Sequence, residues 1–308
     1  MQDLELLRHF QFERILNEDP LAHSLTLLGS VTDSDDLNNS LPAIIRIEKT
    51  ALPISVAPTV IAERLQEVKP IESTDIYTWM LGWLKASPEH PDVKINIIYP
   101  ATEVHIRKYT TQTITMVQET PGIYASVVKP YIDAFPPSRI QWVLDILSGK
   151  SEAEKVLYRS LTPENGFIIL PDMKWDLTTV SSLYLVAIAL TDSVRSLRDL
   201  RKAHLPMLRT IREEATRIVG DKWGLAKGSL RLYVHYQPSY YHFHVHIVNA
   251  GYYGLMGSTV GQAHLLEDII SLLELDPDEG PSIFERMTLT YGLGDQHGLY
   301  DPLIRARV

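Results

Sequence analysis

The chain has 308 residues, of which 22% are charged and 45% hydrophobic, and its net charge is −9 at pH 7. Such an acidic chain lacks the many cations that binding along a long nucleic acid requires, so a ligand pocket is favoured over a groove. It contains no cysteine, which excludes disulfides, thiolate catalysis and cysteine-ligated zinc. No apolar run reaches the ~18 residues of a membrane span, and the N-terminus lacks a signal-peptide pattern.

The first part of the chain mixes short strands with loops. Alternating apolar residues predict strands over 44–48 and 94–99, and an apolar, aromatic stretch at 74–86 lies between them. A polar periodic segment that begins at His105 predicts a connecting helix. We therefore predict an N-terminal domain over residues 1–104, a hinge over 105–120 and a C-terminal domain over 121–308.

The second half of the chain has the pattern of an α+β domain. An apolar stripe at helical spacing predicts a helix over 204–219, and helices are also predicted over 138–147 and 264–275. Short apolar or alternating runs predict strands over 155–158, 166–170, 182–190, 229–235, 241–248 and 287–291.

Three histidines alternate with bulky apolar residues in the segment 242–248: His242, His244 and His246. At the period of a strand all three imidazoles project from one face, while Phe243 and Val245 enter the core behind them. A row of imidazoles suits metal ligation or nucleophilic attack on phosphorus with proton relay. An exposed strand with incidental histidines and a zinc site are the alternatives. The adjoining Pro-Ser-Tyr-Tyr stretch at 238–241 favours phosphorus chemistry.

The segment 242–248 matches the histidine-triad signature of nucleotide hydrolases and transferases, and the flanking sequence is more specific. Four blocks resemble the scavenger mRNA decapping enzyme branch of that superfamily: residues 99–103, 166–175, 196–200 and 235–246. The N-terminal third of the chain matches only loosely. The resemblance implies a C-terminal histidine-triad domain, in which an antiparallel sheet carries helices, and a smaller N-terminal α+β domain. It also implies a homodimer that exchanges N-terminal strands.

That family removes the 7-methylguanosine cap from short capped remnants of 3′-to-5′ mRNA decay. The resemblance implies hydrolysis of the triphosphate bridge to 7-methyl-GMP and a nucleoside diphosphate, through a covalent phosphohistidine and without a metal or other cofactor. The implied partners are a capped dinucleotide or short capped RNA and a second copy of the chain, with no membrane and no long nucleic acid. The expected location is the cytoplasm, with the nucleus as a second compartment.

By the same resemblance, His244 is the nucleophile that attacks the phosphorus next to the methylguanosine. His242 and His246 orient this nucleophile and help to neutralise the phosphate, while His235 assists the leaving group. Further cations and hydroxyl groups surround the phosphates: Lys174, His105, Lys108, Ser239 and Tyr240. If His105 and Lys108 lie on the hinge, domain motion completes the site only when ligand is bound. Taken alone, His105 is equally well an ordinary surface histidine.

The 7-methylguanine ring carries a positive charge, so an aromatic face and a carboxylate are its natural partners. The resemblance assigns the stacking face to Trp142 and the hydrogen bonds with the guanine edge to Glu152. Three consecutive residues complete the nucleoside site, with a methionine where the family usually carries leucine: Pro171, Asp172 and Met173. The structural alternatives are a core tryptophan, a solvated glutamate and a simple turn at 172–174.

Two positions depart from the family pattern. Gln262 stands where animal members can carry arginine, and Thr74 stands where an asparagine would help to hold the ligand. Other functions also fit parts of the sequence. They are a histidine-triad hydrolase of dinucleoside polyphosphates or nucleoside phosphoramidates, a weakly active cap-binding regulatory paralogue, and a metal-binding structural protein. Trp142, Glu152 and the large N-terminal segment speak against the first of these.

Overall fold

The structure is a computed structural model that describes residues 7–32, 40–50, 52, 56–162, 164–253 and 257–306. The chain divides into two compact units, Met1–Thr111 and Gln112–Val308. The boundary falls inside the segment 105–120 that we assigned to a hinge, and motion about it stays a prediction. No helix among the described residues is long and apolar enough to cross a membrane.

The first unit is built on an antiparallel sheet with the strand order β1-β2-β3-β6. These strands are β1 (Phe10–Asp19), β2 (Ser24–Thr32), β3 (Ser40–Lys49) and β6 (Val93–Ile98). A separate hairpin joins β4 (Leu65–Thr74) to β5 (Tyr77–Leu84), after a π-helical turn at Val60–Arg64. The core of this unit is small and consists of Leu16, Leu28, Ile44 and Ala101, against which helix α1 (Glu103–Tyr109) packs Ile106. The predicted strands at 44–48 and 94–99 and the helix at His105 are confirmed.

The second unit contains a six-stranded antiparallel sheet with the order β13-β11-β12-β10-β9-β8, and a two-stranded sheet of β7 and β14. The strands are β7 (Ile114–Glu119), β8 (Tyr158–Ser160), β9 (Phe167–Pro171), β10 (Tyr184–Ala189), β11 (Leu230–His235), β12 (His244–Asn249), β13 (Ala263–Leu265) and β14 (Leu289–Gly294). Helices join these antiparallel sheets, so the predicted α+β class is confirmed.

Both faces of the six-stranded sheet are covered, and its inner strands β9 and β10 are apolar throughout. On one face, β12 and its neighbours pack against helix α5 (Leu205–Trp223) and helix α6 (Leu266–Glu274) in the main core. On the other face, a smaller cluster packs Val143 and Ile146 of helix α4 (Gln141–Leu147) against β9 and β10. The histidines of β12 lie on this second face, where the helical cover is short.

Helix α5 begins and ends where its sequence requires. A proline stands in its first turn, where the missing backbone N–H has no helical partner to lose. The helix stops at Gly224, whose φ of +67° places it in the left-handed region that glycine adopts most readily. The remaining short helices are α2 (Pro121–Ile123), α3 (Lys129–Asp133), α7 (Ile283–Arg286) and α8 (Tyr300–Arg305).

Several predicted boundaries were wrong near the site. The predicted strand at 155–158 is a 3₁₀ turn (Ala153–Lys155) followed by β8 at Tyr158–Ser160. The helix predicted from 264 starts at Leu266, because the three residues before it pair with β11 as strand β13. The helix predicted from 138 starts as a 3₁₀ turn, Pro137–Ile140, and becomes α-helical at Gln141. Strand β12 begins at His244 rather than at residue 241.

Candidate active site

Strand β12 lies in the centre of the six-stranded sheet and carries two of the three alternating histidines. His244 is paired with Ile188 and His246 with Val186 of β10. Phe243 and Val245 point to the opposite face and are buried in the main core, as predicted. The imidazoles of His244 and His246 therefore share one face, with ring centroids 4.9 Å apart.

His242 departs from this arrangement. It precedes the strand, and its Nε2 atom lies 2.7 Å from the carbonyl oxygen of Ala189 at the end of β10. Because a carbonyl only accepts, this Nε2 carries the proton and donates it to Ala189. The His242 ring is thus engaged with the backbone, and its own carbonyl oxygen lies 2.8 Å from Nδ1 of His244. The main-chain carbonyl of His242 thus contacts the His244 ring, while the role of the His242 side chain stays a prediction.

The hydrogen bond to His242 fixes the protonation of His244. Nδ1 of His244 must be the donor to the carbonyl, so Nε2 of the neutral ring carries a free lone pair. Burial lowers the pKa of His244 to about 4, since water is not available to solvate a charged ring. Nε2 of His244 is buried and has no hydrogen-bond partner. These are the properties of a nucleophilic nitrogen that is neutral near pH 7.

His246 and His235 complete a group of three imidazoles with His244. Nδ1 of His246 lies 2.7 Å from the hydroxyl of Tyr184, while Nε2 of His246 and Nε2 of His235 are buried without a partner. One ring nitrogen of each of the three histidines lies within 4.8 Å of the others. Burial lowers the pKa of both His235 and His246, so all three rings are neutral near pH 7.

A lysine adds positive charge to this group. Lys174 contributes, after burial, to lowering the pKa of all three clustered histidines. Its Nζ atom lies 5.6 Å from the ring centroid of Tyr184, the same tyrosine that contacts His246. Asp172 accepts a hydrogen bond of 2.9 Å from the backbone N–H of Lys174 and so holds the turn that carries the lysine. Pro171 is the last residue of β9, and Met173 is 90% exposed beside this turn.

Aromatic rings connect His244 to helix α4. The Tyr240 ring is stacked on His244 at 4.2 Å with an interplanar angle of 13°, and Trp142 meets Tyr240 edge-on at 5.0 Å. Trp142 is 48% exposed, while the core positions of its helix are Val143 and Ile146. Trp142 is therefore not a core tryptophan, and its exposed indole contacts the Tyr240 ring that stacks on His244.

The structure gives the surroundings of four other predicted site residues without indicating a role in ligand binding. Glu152 makes a 3.4 Å ion pair with Lys155 and has a φ of +54° at the start of the 3₁₀ turn. Ser239 is exposed in the loop between β11 and β12. His105 and Lys108 lie in the first unit on α1, where Nδ1 of His105 accepts a 3.1 Å hydrogen bond from the backbone of Thr102. The roles of these four residues in ligand binding stay predictions.

The sequence reading missed two residues beside the histidines. Tyr184 begins an apolar run, and nothing in that run indicates that its hydroxyl reaches His246. Gly257 has a φ of +92°, and a Cβ there would stand 3.0 Å from Nε2 of His235, so glycine allows the backbone to pass close to this ring. The same Cβ would lie 3.7 Å from Oε1 of Gln262. Gln262, which differs from the family pattern, therefore lies next to His235. Thr74, the other departure, ends β4 in the first unit.

The fold and the site define an α+β protein in which a central strand of an antiparallel sheet presents buried, neutral imidazoles on one face. A model of the scavenger mRNA decapping enzyme (DcpS) N-terminal region matches residues 5–112, and a model of the C-term binding region of the same enzyme matches residues 141–261. The chain belongs to the scavenger mRNA decapping enzyme family, so the resemblance seen in the sequence is confirmed.

Curated relatives support this membership over nearly the whole chain. The m7GpppX diphosphatase of Schizosaccharomyces pombe is 38% identical over 97% of this chain and 96% of its own length. The m7GpppX diphosphatase of Ascaris suum is 35% identical over 96% of this chain and 93% of its own length. The human m7GpppX diphosphatase is 33% identical over 96% of this chain and 84% of its own length.

Proposed function

We propose that this chain is a hydrolase that cleaves the triphosphate bridge of 7-methylguanosine caps on dinucleotides and short RNA remnants. Its family membership and relatives named m7GpppX diphosphatase support this activity. The observation that carries the mechanism is the buried, unpartnered Nε2 of His244, whose lone pair is fixed by the hydrogen bond from Nδ1 to His242.

The proposed reaction proceeds in two displacements. Nε2 of His244 attacks the phosphorus next to the methylguanosine, an N–P bond forms, and the bond from that phosphorus to the bridging oxygen breaks. The nucleoside diphosphate leaves as an anion, and the neutral His235 ring assists by a hydrogen bond to the departing oxygen, without losing its proton. Water then attacks the phosphohistidine, the N–P bond breaks, and 7-methyl-GMP is released, so one water is consumed overall. Splitting one difficult displacement into two lowers the barrier of each.

The neighbouring groups stabilise charge on the transferred phosphate. Lys174 supplies the cation, and His246, held by Tyr184, faces the same space as His244. Such preorganised charges are the main source of catalysis in phosphoryl transfer. In this proposal the exposed indole of Trp142 stacks on the cationic 7-methylguanine, and the Glu152 carboxylate is the partner of the guanine edge.

The deciding experiment incubates the purified protein with 7-methyl-GpppG or unmethylated GpppG in EDTA and resolves the products by chromatography. We expect 7-methyl-GMP and GDP from the methylated dinucleotide and much slower cleavage of the other. Equal cleavage of both would indicate a general histidine-triad hydrolase. Cap binding without cleavage would indicate a regulatory paralogue, and activity that is lost in EDTA and restored by metal would contradict the metal-free mechanism.

Truncating the stacking residue tests the base site. Trp142→Ala is expected to raise KM for 7-methyl-GpppG by about 30-fold, equivalent to ~2 kcal/mol, because a cation on an indole face is lost. Steady-state kinetics with both dinucleotides measures the effect, which is expected to be much smaller for GpppG. Leu144→Ala, an exposed apolar residue on the same helix, is the matched control. An unchanged ratio between methylated and unmethylated substrate in Trp142→Ala would refute the stacking role.

We propose further that the protein is a homodimer joined through its first unit. The β4–β5 hairpin stands apart from the β1-β2-β3-β6 sheet and exposes a row of large apolar side chains: Tyr77, Trp79, Met80, Leu81 and Trp83. An isolated two-stranded hairpin is at best marginally stable in water, and contiguous exposed apolar surface is typical of interaction sites. Strand exchange with a second copy would bury this surface.

Charging this hairpin is expected to dissociate the dimer. The double variant Trp79→Glu with Leu81→Glu introduces two like charges on one strand face, so pairing with a second hairpin becomes unfavourable. Light scattering after gel filtration is expected to give twice 34.9 kDa for the wild type and 34.9 kDa for the variant. Ile61→Glu, which alters an exposed residue outside the hairpin, is expected to remain dimeric. A wild-type monomer would overturn the proposal.

A further inference from the structure

The geometry points to a reversible, inhibitory zinc site formed by His235, His244 and His246. This set differs from the three histidines of the sequence motif, since it includes His235 and leaves out His242. Binding of the ion depends only on these side chains. Its effect on turnover rests on the function proposed above, because an ion on His244 would occupy the nucleophilic nitrogen.

Three free donor atoms carry the inference. Nε2 of His235, of His244 and of His246 are all buried without a hydrogen-bond partner, an arrangement that is costly for polar atoms unless a ligand satisfies them. The ligand nitrogens of the three rings lie within 4.8 Å of one another. In a tetrahedral zinc site with bonds near 2.05 Å, nitrogens are about 3.4 Å apart, so closing the site requires ring movements of about 1.4 Å or less.

The opposite ring nitrogens are held as metal-bound histidines require. Histidine ligands usually place their second nitrogen against a carbonyl or another polar group, which fixes the tautomer and directs the lone pair at the metal. Nδ1 of His244 donates to the carbonyl of His242, and Nδ1 of His246 contacts the hydroxyl of Tyr184. Both contacts leave Nε2 as the metal-facing atom. A side chain at position 257 would stand 3.0 Å from Nε2 of His235 and crowd an ion there, and Gly257 has none.

His242 cannot serve as the third ligand in this arrangement. Its Nε2 donates to the carbonyl of Ala189, so binding through that atom would break a buried hydrogen bond and leave the carbonyl unsatisfied. Three imidazoles with an open fourth position match zinc sites that bind a water or an anion. Lys174 lies near enough to lower the pKa of all three rings, and its charge opposes the cation and limits its affinity.

We expect zinc and capped substrate to exclude each other from this site. A zinc ion that holds Nε2 of His244 removes the lone pair that would attack phosphorus, so no N–P bond can form. Removal of the ion by a chelator restores the same neutral ring. Zinc is therefore expected to act as a competitive and reversible inhibitor, in contrast to the activating metal of a metallohydrolase.

The test uses tag-free, chelator-stripped protein titrated with Zn²⁺ in competition with a chromogenic zinc indicator. We expect one tight zinc per chain, with affinity reduced by more than about 100-fold in His235→Ala, a loss greater than that from removing an outer partner of a ligand. His264→Asn is the matched control. His264 is also a histidine with a buried, unpartnered Nε2, but it pairs with Val234 and so lies on the opposite face of the sheet from His235.

A second arm measures hydrolysis of 7-methyl-GpppG in buffered Zn²⁺. The apparent KM is expected to rise with zinc while kcat stays constant, and excess EDTA should reverse the effect. His235→Gln, checked for native folding by circular dichroism, provides a second variant if His235→Ala is unstable. Zinc affinity that is unchanged in both His235 variants, or absent from the wild type, would overturn the assignment. If the stripped enzyme fails to hydrolyse caps, the titration still decides the metal site.

Discussion

Replacement of His244 by asparagine is expected to abolish cap hydrolysis, lowering kcat by at least about 10⁴-fold. Asparagine keeps a polar side chain on the strand but has no basic nitrogen that can form a bond to phosphorus. The backbone hydrogen bond from Nδ1 of His244 to His242 fixes the orientation of the ring, and its Nε2 is buried, unpartnered and neutral. Single-turnover kinetics with 7-methyl-GpppG measures the loss, and mass spectrometry of quenched enzyme tests for the phosphohistidine.

Two comparisons make the His244 result specific. His264→Asn removes a half-buried histidine from the other face of the same sheet and is expected to leave turnover within a few-fold of wild type. The covalent adduct should carry the mass of 7-methyl-GMP in the wild type and be missing from His244→Asn. Residual turnover within about tenfold of wild type in the His244 variant would exclude this residue as the nucleophile, even if cap binding were preserved.

The alternation of His244 and His246 with apolar residues was enough to predict one face of a buried strand. The period of two follows from the strand backbone alone. If the histidines point to one face, Phe243 and Val245 must point to the other, where apolar side chains enter the core. The family resemblance added the functional meaning of these residues. It also indicated Trp142, whose open indole surface next to Tyr240 excludes the core position that spacing alone allowed.

The features of the site that the sequence did not predict also have physical causes. The period-two rule extends only as far as the strand, and His242 lies before it, so its ring turns to Ala189 instead of joining the other two. The contact between Tyr184 and His246 depends on how β10 and β12 are paired, which no local pattern specifies. The resemblance assigned His235 to the site, but its position beside the first residue of β12 depends on the pairing of β11 with β12.

A buried ion pair that contacts the loop between β11 and β12 had no signal in the sequence. Glu119 ends β7 and is fully buried, and it forms a 2.8 Å ion pair with Arg198, whose side chain is also inaccessible. The Glu119 carboxylate further accepts hydrogen bonds from three side chains: Tyr236 at 2.7 Å, Tyr291 at 2.6 Å and Gln237 at 3.2 Å. Arg198 also donates to the carbonyl oxygens of Phe284 and Met287. One carboxylate thus connects β7, β14 and the loop that precedes the histidines.

Removing this carboxylate is expected to destabilise the second unit strongly. Glu119→Ala leaves the Arg198 cation buried without its counter-ion, which costs about 3–5 kcal/mol and lowers Tm by roughly 10 °C. Calorimetry at fixed protein concentration measures the shift. Glu274→Ala breaks an ion pair of similar length, 2.6 Å to Arg209, but at the surface, and is expected to change the free energy of unfolding by no more than about 1 kcal/mol.

A double variant distinguishes the stabilisation that the ion pair provides from the destabilisation that an unpaired buried charge causes. Glu119→Leu combined with Arg198→Met replaces both buried charges with apolar side chains, so it should recover a large part of the stability lost in Glu119→Ala. Recovery stays incomplete because Tyr236 and Tyr291 lose the acceptor for their buried hydroxyls. If Glu119→Ala and Glu274→Ala lowered Tm equally, the buried network would not be a source of stability. If the double variant were no more stable than Glu119→Ala, the loss of stability would come from the unsatisfied tyrosines and Gln237, and not from the unpaired Arg198.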